Sequence, residues 1–397
     1  MMSFEIALSG INAVNNQLGS ISNNIANSST YGFKSGRANF SSAYAGSQAI
    51  GVETSSTTQN IAKGGGLLTT GRALDAAIQG SGFFVTKDPS GGMAYTRVGI
   101  FDKDKDGYMV DSFGRRAQGY APVGNGGGTA MGAIGDIKVP VGQVPAKATD
   151  KLQFTGNLSA DWPTPITATF NKDEGTSFNA SMVSTVYDSV GAKHNLTQYF
   201  VKGAAGVTAH YSFDGATIAA SNTLSFDANG KLSSPTAPVT LALGTPANAL
   251  PLSINLDYAG TSRFAGEVTN TVNSANGYAS GTLTGVVIEE NGEVMAKYSN
   301  GQKQSAGTLV LATFPNESAL QQISNTSWAE TAATGTALYS APGSGMTGKL
   351  TAGALEQSNV DMTGELVSLM TAQRNYQANT KVISTENQVI QALMQAL

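Results

Sequence analysis

Between Ile6 and Phe33 the chain carries no charged side chain, yet an apolar residue returns every third or fourth position. Phe4, Ala7, Ile11, Val14, Leu18, Ile21 and Ile25 form the stripe, and Leu8 widens it. That spacing predicts a helix with one face that must be covered. Residues 3–27 would make a rod about 38 Å long. Burying seven or so of these side chains would contribute on the order of 10 kcal/mol, whereas leaving them exposed would promote aggregation. Gly10 and Gly19 each cost a helix about 1 kcal/mol, so packing rather than propensity must hold it.

The other end of the chain offers a partner. Leu369, Tyr376, Ile383, Ile390 and Leu397 recur at one heptad position. Leu366, Gln373, Thr380, Asn387 and Met394 recur at its companion, which is apolar at its ends and polar at its centre. Polar groups inside such a seam specify register and partner number. The pattern predicts a helix over 360–397, about 57 Å long, with Ser358–Asn359 as its N-cap region. The first helix should stop between Asn27 and Gly32. Both helices docking as ordinary amphipathic helices on the rest of the chain would also cover the stripes. An antiparallel coiled-coil pair of chain ends, packed against copies of itself, is the more economical arrangement. In a homopolymer identical charges recur at every lattice step and repel, which favours neutral faces.

Between the ends, strand and turn signals dominate, so the predicted class is α+β and mostly β. Asn291–Gly292, Asp106–Gly107 and Asn229–Gly230 each sit between alternating runs and predict hairpin turns. Residues 144–285 are rich in Thr, Ala and Ser with short strand-like pieces, which predicts a β-sandwich or barrel inserted in its surroundings. Gly- and Pro-bearing stretches at 124–136 and 335–349 read as borders. In 397 residues only 13% are charged and the net charge is -4. This gives no electrostatic reason to expect nucleic acid or an anionic membrane as partner. The absence of cysteine excludes disulfides, thiolate metal sites and cysteine nucleophiles. The N-terminus lacks the basic and apolar regions of a cleaved signal peptide, and no run is long enough for a transmembrane helix.

Three stretches imitate ligand motifs. Asp102, Asp104, Asp106 and Gly107 have EF-hand spacing, but the twelfth position is Phe113 instead of a bidentate Glu, and both flanks read as strands. Gly343, Gly348 and Lys349 have P-loop spacing, but Leu350 stands where Mg²⁺ needs Ser or Thr. The run from Gly124 to Gly132 lacks the last Gly of a dinucleotide fingerprint. A solvated hairpin tip, a flexible connector and a loop are the better accounts. His194 and His210 are the only histidines, and neither has a metal-type neighbour at i+3 or i+4. No catalytic residue, cofactor site or metal site is predicted, and the expectation is a protein that is not an enzyme. A calcium- or nucleotide-binding β protein is the alternative from another class.

At both ends the residues resemble a known family. The block from Leu8 to Phe40, with Asn23, Asn24, Asn27, Gly32 and Phe33, resembles the N-terminal signature of the flagellar rod, hook and hook-associated axial proteins. The runs Leu74–Val85 and Tyr95–Tyr120 resemble that family's next shared block. The block from Gly353 to Leu397, with Gln373, Arg374, Tyr376 and Asn379, is similar to its C-terminal signature. The large insertion and overall length favour the hook branch, with the distal rod or a hook-associated protein as alternatives.

The resemblance implies an extracellular subunit of the bacterial flagellum, exported unfolded without a cleaved signal peptide. Such subunits polymerise into a tube. In the hook branch the tube is curved and flexible, links rod to filament and transmits torque as a universal joint. Its implied partners are copies of itself, the rod, the hook cap, the hook–filament junction proteins and the export apparatus, with no nucleic acid and no membrane insertion. Implied domains are a helical core of 1–28 plus 360–397, a linking segment of 29–70, a middle β domain of 71–143 plus 286–359, and an inserted outer β domain of 144–285. The core's assembly contacts would come from Phe4, Leu8, Ile11, Val14, Leu18, Ile21, Ile25, Leu366, Leu369, Tyr376, Ile383, Ile390, Met394 and Leu397.

Overall fold

The computed structural model describes residues 2–45, 48–122 and 132–396. The chain is mostly β, with one long helix at each end: α1 (Met2–Ala26) and α2 (Met362–Ala396). It divides into two compact units. One comprises residues 1–141, 285–297 and 303–397; the other, the mid-chain unit, comprises 142–284 and 298–302.

In the first unit, α1 is followed by two long antiparallel strands, β1 (Gly36–Ala45) and β2 (Gln48–Gln59). Residues 29–70, expected to act as a linking segment, are therefore largely a sheet of their own that lies along α1. The hairpin escaped the sequence pattern because Ser and Thr fill it and it has little period-2 apolar alternation. Two short strands follow, β3 (Leu67–Thr69) and β4 (Ala76–Gln79). Their partners come from the far end of the chain: Ala354–Glu356 pairs with β3, and Lys349–Ala352 pairs with β4.

The body of this unit is an antiparallel sheet. Its middle runs Lys303–Leu309, Arg116–Tyr120, Phe83–Lys87, Met93–Thr96, Ser327–Ala329, Gln321–Ile323. Phe83, Tyr95, Phe314 and Trp328 fill its core, with Phe83 5.4 Å from Trp328 and Tyr95 4.8 Å from Phe314. Pairs in these tilted and edge-on arrangements add about 0.5–1.5 kcal/mol beyond area burial. The expected turns form at Asn291–Gly292 and Asp106–Gly107, where each glycine N–H donates back across the turn.

The mid-chain unit is a sandwich of a four-stranded and a five-stranded sheet. The five-stranded sheet is a meander of Ala180–Tyr187, Lys193–Gly203, Gly206–Phe213, Ala216–Phe226 and Leu232–Ser234. Leu152, Phe154, Ile254 and Leu256 from one sheet meet Leu196, Phe200, Val207 and Leu224 from the other. The alternating buried and open positions of Leu252–Asp257 show why a period-2 sequence takes this form. Asn229–Gly230 makes the expected turn, with Gly230 N–H donating to the Asp227 carbonyl at 3.0 Å.

Candidate assembly surface

α1 is covered on two sides. Val14 and Ile21 are buried against Ala372 of α2, with Leu18, Ile25 and Leu369 packed around them. On another side, the Ser9 hydroxyl accepts from Val52 N–H (3.1 Å), Asn16 Nδ2 donates to Thr54 Oγ1 (2.8 Å), and Ser20 Oγ donates to the Gly36 carbonyl (3.1 Å). The polar residues of the N-terminal stretch thus hydrogen-bond the hairpin, while its apolar stripe meets α2. Phe4 and Ile11 are half-buried, and Leu8 remains 43% exposed.

Two contacts set the helix register. Asn24 Nδ2 donates to Glu365 Oε1 at 2.8 Å. At the other end, the Asn379 amide lies 3.0 Å from where a side chain on Gly10 would begin, so Gly10 permits the close approach. These contacts are fourteen residues apart on either helix (10 to 24 and 365 to 379), which makes the pairing antiparallel and in step. The seam facing α1 therefore runs through Glu365, Ala372 and Asn379 rather than through the companion positions Leu366, Gln373 and Thr380, which are exposed. Small and polar residues line it because the helices approach closely, and an apolar-only pattern search passes over them.

Continuing the register sets residue 387 opposite residue 2, so 388–396 run on past α1 as about 13 Å of helix. Ile390 and Met394 lie on this extension, 45% and 73% exposed, with Val389 and Leu393 beside them at 54% and 63%. Leu366 and Tyr376 are also exposed, Ile383 is half-buried, and Leu397 lies outside the described residues. No helix among the described residues is long and apolar enough to cross a membrane.

The signature residues mostly work inside the chain. Asn24, 2% exposed, also donates to the Gly36 carbonyl and accepts from Gly36 N–H at 2.9 Å, tying α1 to β1 as well as to α2. Asn27 donates to Asn23 Oδ1 (2.8 Å) as α1 ends. Gly32 has φ +67°, and a Cβ there would meet Arg97 and Val98 backbone at 3.0 Å, while Phe33 is buried. Gln373 and Arg374 lie exposed on α2.

Sequence reasoning missed the polar contacts where the chain ends join. Asn359 serves as a bridge rather than as part of an N-cap: its Oδ1 accepts from Ser35 N–H, and its Nδ2 donates to the carbonyls of Asn60 and Lys63, all at 2.8 Å. The cap is Asp361, whose Oδ1 accepts from Thr363 N–H at 3.1 Å, so α2 starts at Met362 rather than 360. Beneath this junction Lys34 Nζ lies 2.7 Å from Glu356 Oε1 and Arg97 Nη1 lies 3.5 Å from Oε2, with all three side chains at most 3% exposed. Burial holds the Lys34 ammonium below the ordinary lysine range despite the Glu356 charge, with Arg97 adding to the downward pull.

The imitation motifs are occupied structurally. Asp104 Oδ1 accepts from Asp106 and Tyr108 N–H (2.9 and 2.7 Å) at the hairpin tip between Phe101–Lys103 and Met109–Asp111. The P-loop-like run, expected as a flexible connector within the 335–349 border, is a compact turn instead. Gly343 N–H donates to the Gly348 carbonyl, and Lys349 begins a strand, so no helix N-terminus faces the turn. The 335–349 border also contains a strand, Leu338–Ser340, paired with Leu311–Thr313. The dinucleotide-like run falls, apart from Gly132, outside the described residues. Among the described residues, no three His, Asp or Glu side chains converge on a metal-sized site.

Known proteins resemble the chain along its length. Three family models match, described as Flagellar hook protein FlgE/F/G D1 domain over residues 77–155, Flagellar basal body protein FlaE D2 domain over 157–278, and Flagellar basal body rod FlgEFG protein C-terminal over 351–396. The chain is 39% identical to the flagellar hook protein FlgE of Salmonella typhimurium, with 99% of each chain covered. It is 37% identical to that of Escherichia coli K12, again with 99% of each covered. Against that of Brucella suis it is 31% identical over 98% of this chain and 96% of the relative. In fold, it is similar to a crystal structure of Helicobacter pylori flagellar hook protein FlgE2 (TM-score 0.53, 15% identity, 71% of this chain and 98% of that one). With such identity to curated relatives along nearly its whole length, the chain belongs to the flagellar hook protein FlgE family.

Proposed function

We propose that this chain is the structural subunit of a flagellar hook, polymerising into a curved tube between rod and filament, with no enzymatic role. α1 and α2 form an antiparallel coiled-coil core domain, and the mid-chain unit is an outer domain inserted in the body. The observation that carries this reading is the exposed apolar face of α2, running past the end of α1 with no cover among the described residues. Neighbouring copies cover it, at roughly 1.5–3 kcal/mol per buried Leu- or Ile-class side chain. The low charge of both helices favours that packing, since α1 carries only Glu5. Rod, hook cap, junction proteins and export apparatus are the further partners. The polymer bends as a universal joint outside the cell.

Electron microscopy of the purified chain tests this. The wild type should form short curved tubes. Leu393→Asp should keep the monomer's unfolding midpoint, because the site is already open, and should lose polymerisation, because a carboxylate buried between copies costs several kcal/mol. Normal tubes from Leu393→Asp would overturn the assignment of this face.

A further inference from the structure

His194 stands at the start of strand Lys193–Gly203, on the face that further along carries Leu196, Gln198 and Phe200 into the sandwich core. Its ring stacks on Phe213 with centroids 5.1 Å apart. Both ring nitrogens face carboxylates: Nδ1 lies 2.6 Å from Asp214 Oδ2, and Nε2 lies 3.2 Å from Asp188 Oδ2. Each carboxylate is held by its own turn. Asp188, 1% exposed, accepts through Oδ1 from Val190 and Ala192 N–H (3.0 and 2.8 Å) in the turn before the strand. Asp214 accepts through Oδ1 from Asn195 N–H at 2.8 Å and sits at φ +46° in the turn after Gly206–Phe213.

A neutral imidazole has a single N–H, so it satisfies one carboxylate and turns a lone pair toward the other. The imidazolium alone donates to both, in charge-assisted bonds about twice as strong as neutral ones. The charged groups facing the ring are Asp188 from one turn and Asp214 from the other, and Phe213 supplies an apolar wall. Lys193, next along the strand, alternates to the opposite face and is exposed.

We propose that His194 is a protonated clasp joining these two turns, and that it makes this end of the sandwich firm in acidic to neutral solution and looser in alkaline solution. Burial works against the ring's charged form, but the hydrogen bonds and charges of Asp214 and Asp188 outweigh it and hold His194 above the ordinary histidine value. Backbone N–H donors, from Ala192 to Asp188 and from Asn195 to Asp214, hold both aspartates below theirs against burial, and His194 adds to the pull. A raised histidine stabilises fully below its unfolded value of about 6.5 and loses that contribution as pH climbs through its folded value. A depressed aspartate contributes above about 4 and loses it as pH falls through its own folded value. The clasp is therefore complete from roughly pH 4 to 6.5 and opens on the alkaline side.

The chain's other histidine is an internal control. His210 stacks on Phe170 at 4.3 Å, and burial pushes it below the ordinary value. Full-length monomer labelled at histidine gives two imidazole signals, assigned with His210→Gln. The expected result is a His194 signal titrating above the ordinary value, protonated at both nitrogens on the acid side of its titration, and a His210 signal titrating below it. In the same monomer, His194→Gln should lower the mid-chain unit's melting temperature by roughly 3–6 °C at pH 6 and by clearly less at pH 9.5, where the neutral ring keeps only one carboxylate bond and its stacking. A His194 that titrates at or below the ordinary value, or an equal loss at both pH values, would overturn the proposal. The titration is read on the unmutated ring, so it decides even if the variant folds poorly. All readings come from monomer, so they stand or fall apart from polymerisation.

Discussion

Glu356 is the residue on which the junction of the chain ends depends. Its Oε1 accepts from Lys34 Nζ and from Gly65 N–H at 3.0 Å, while its Oε2 faces Arg97. Two buried cations thus share one buried carboxylate. Removing the anion leaves both without compensation in a site closed to water, which typically costs about 3–5 kcal/mol. Glu356→Gln should therefore lower the denaturant midpoint of the first unit without changing the slope of the transition. Loss of less than about 1 kcal/mol would show that solvent reaches the cluster. Lys34→Met should cost less, because Arg97 still faces the carboxylate. None of this was legible in the sequence, where Lys34 and Glu356 stand 322 positions apart. The strand pairing of Ala354–Glu356 with β3, together with the bond from Gly32 N–H to the Glu356 carbonyl (2.8 Å), brings them together.

At the scale of elements, the two terminal helices were legible because a sustained apolar 3-4 spacing has few other ways to fold. Their seam was not. Ala372 is fully buried although alanine carries little weight in an apolar pattern, and Asn24, a polar residue, is the best-connected side chain of α1. The hairpin was illegible for a related reason: β1 and β2 meet α1 through hydroxyl and amide pairs such as Asn16–Thr54. Gly19 gains a meaning from this arrangement. It lies mid-helix, where glycine costs about 1 kcal/mol relative to alanine, and a Cβ there would touch nothing within 4 Å. It opens instead onto a cavity of about 600 Å³ lined by Asn16, Ser20, Asn23, Thr54 and Gln59. Nothing among the described residues requires a glycine there, and the proposed polymer supplies a reason for it, the close approach of another copy. Gly19→Leu should leave the monomer as stable as before, or more stable by up to about 1 kcal/mol, yet slow or abolish polymerisation. Wild-type polymerisation by light scattering would refute this account of the cavity.

For the whole molecule, the mid-chain unit has the construction of an independent fold. Its chain enters and leaves at neighbouring points: Val144 and Gly281 exchange both backbone hydrogen bonds (2.9 and 3.1 Å), and Lys147 and Tyr278 do the same three residues further in. Between these points lies a complete core whose largest side chains, Phe154, Phe200, Tyr211 and Tyr258, are buried within the unit. Its core tyrosines find partners within the unit as well, with Tyr258 Oη donating to Gln198 Oε1 at 2.7 Å and Asn222 Nδ2 donating to Tyr211 Oη at 3.1 Å. The short return of 298–302 contributes edge contacts, such as Asn300 Nδ2 to the Ala279 carbonyl, but no member of that core cluster. A fragment of residues 142–284 should therefore unfold in a single cooperative transition, with a near-ultraviolet dichroism signal from its buried aromatic rings. The absence of that signal would mean that residues 298–302 are required to close the fold. Restoring them through a short glycine linker would then recover it, whereas a fragment still without fixed tertiary structure would show that the core needs the rest of the chain.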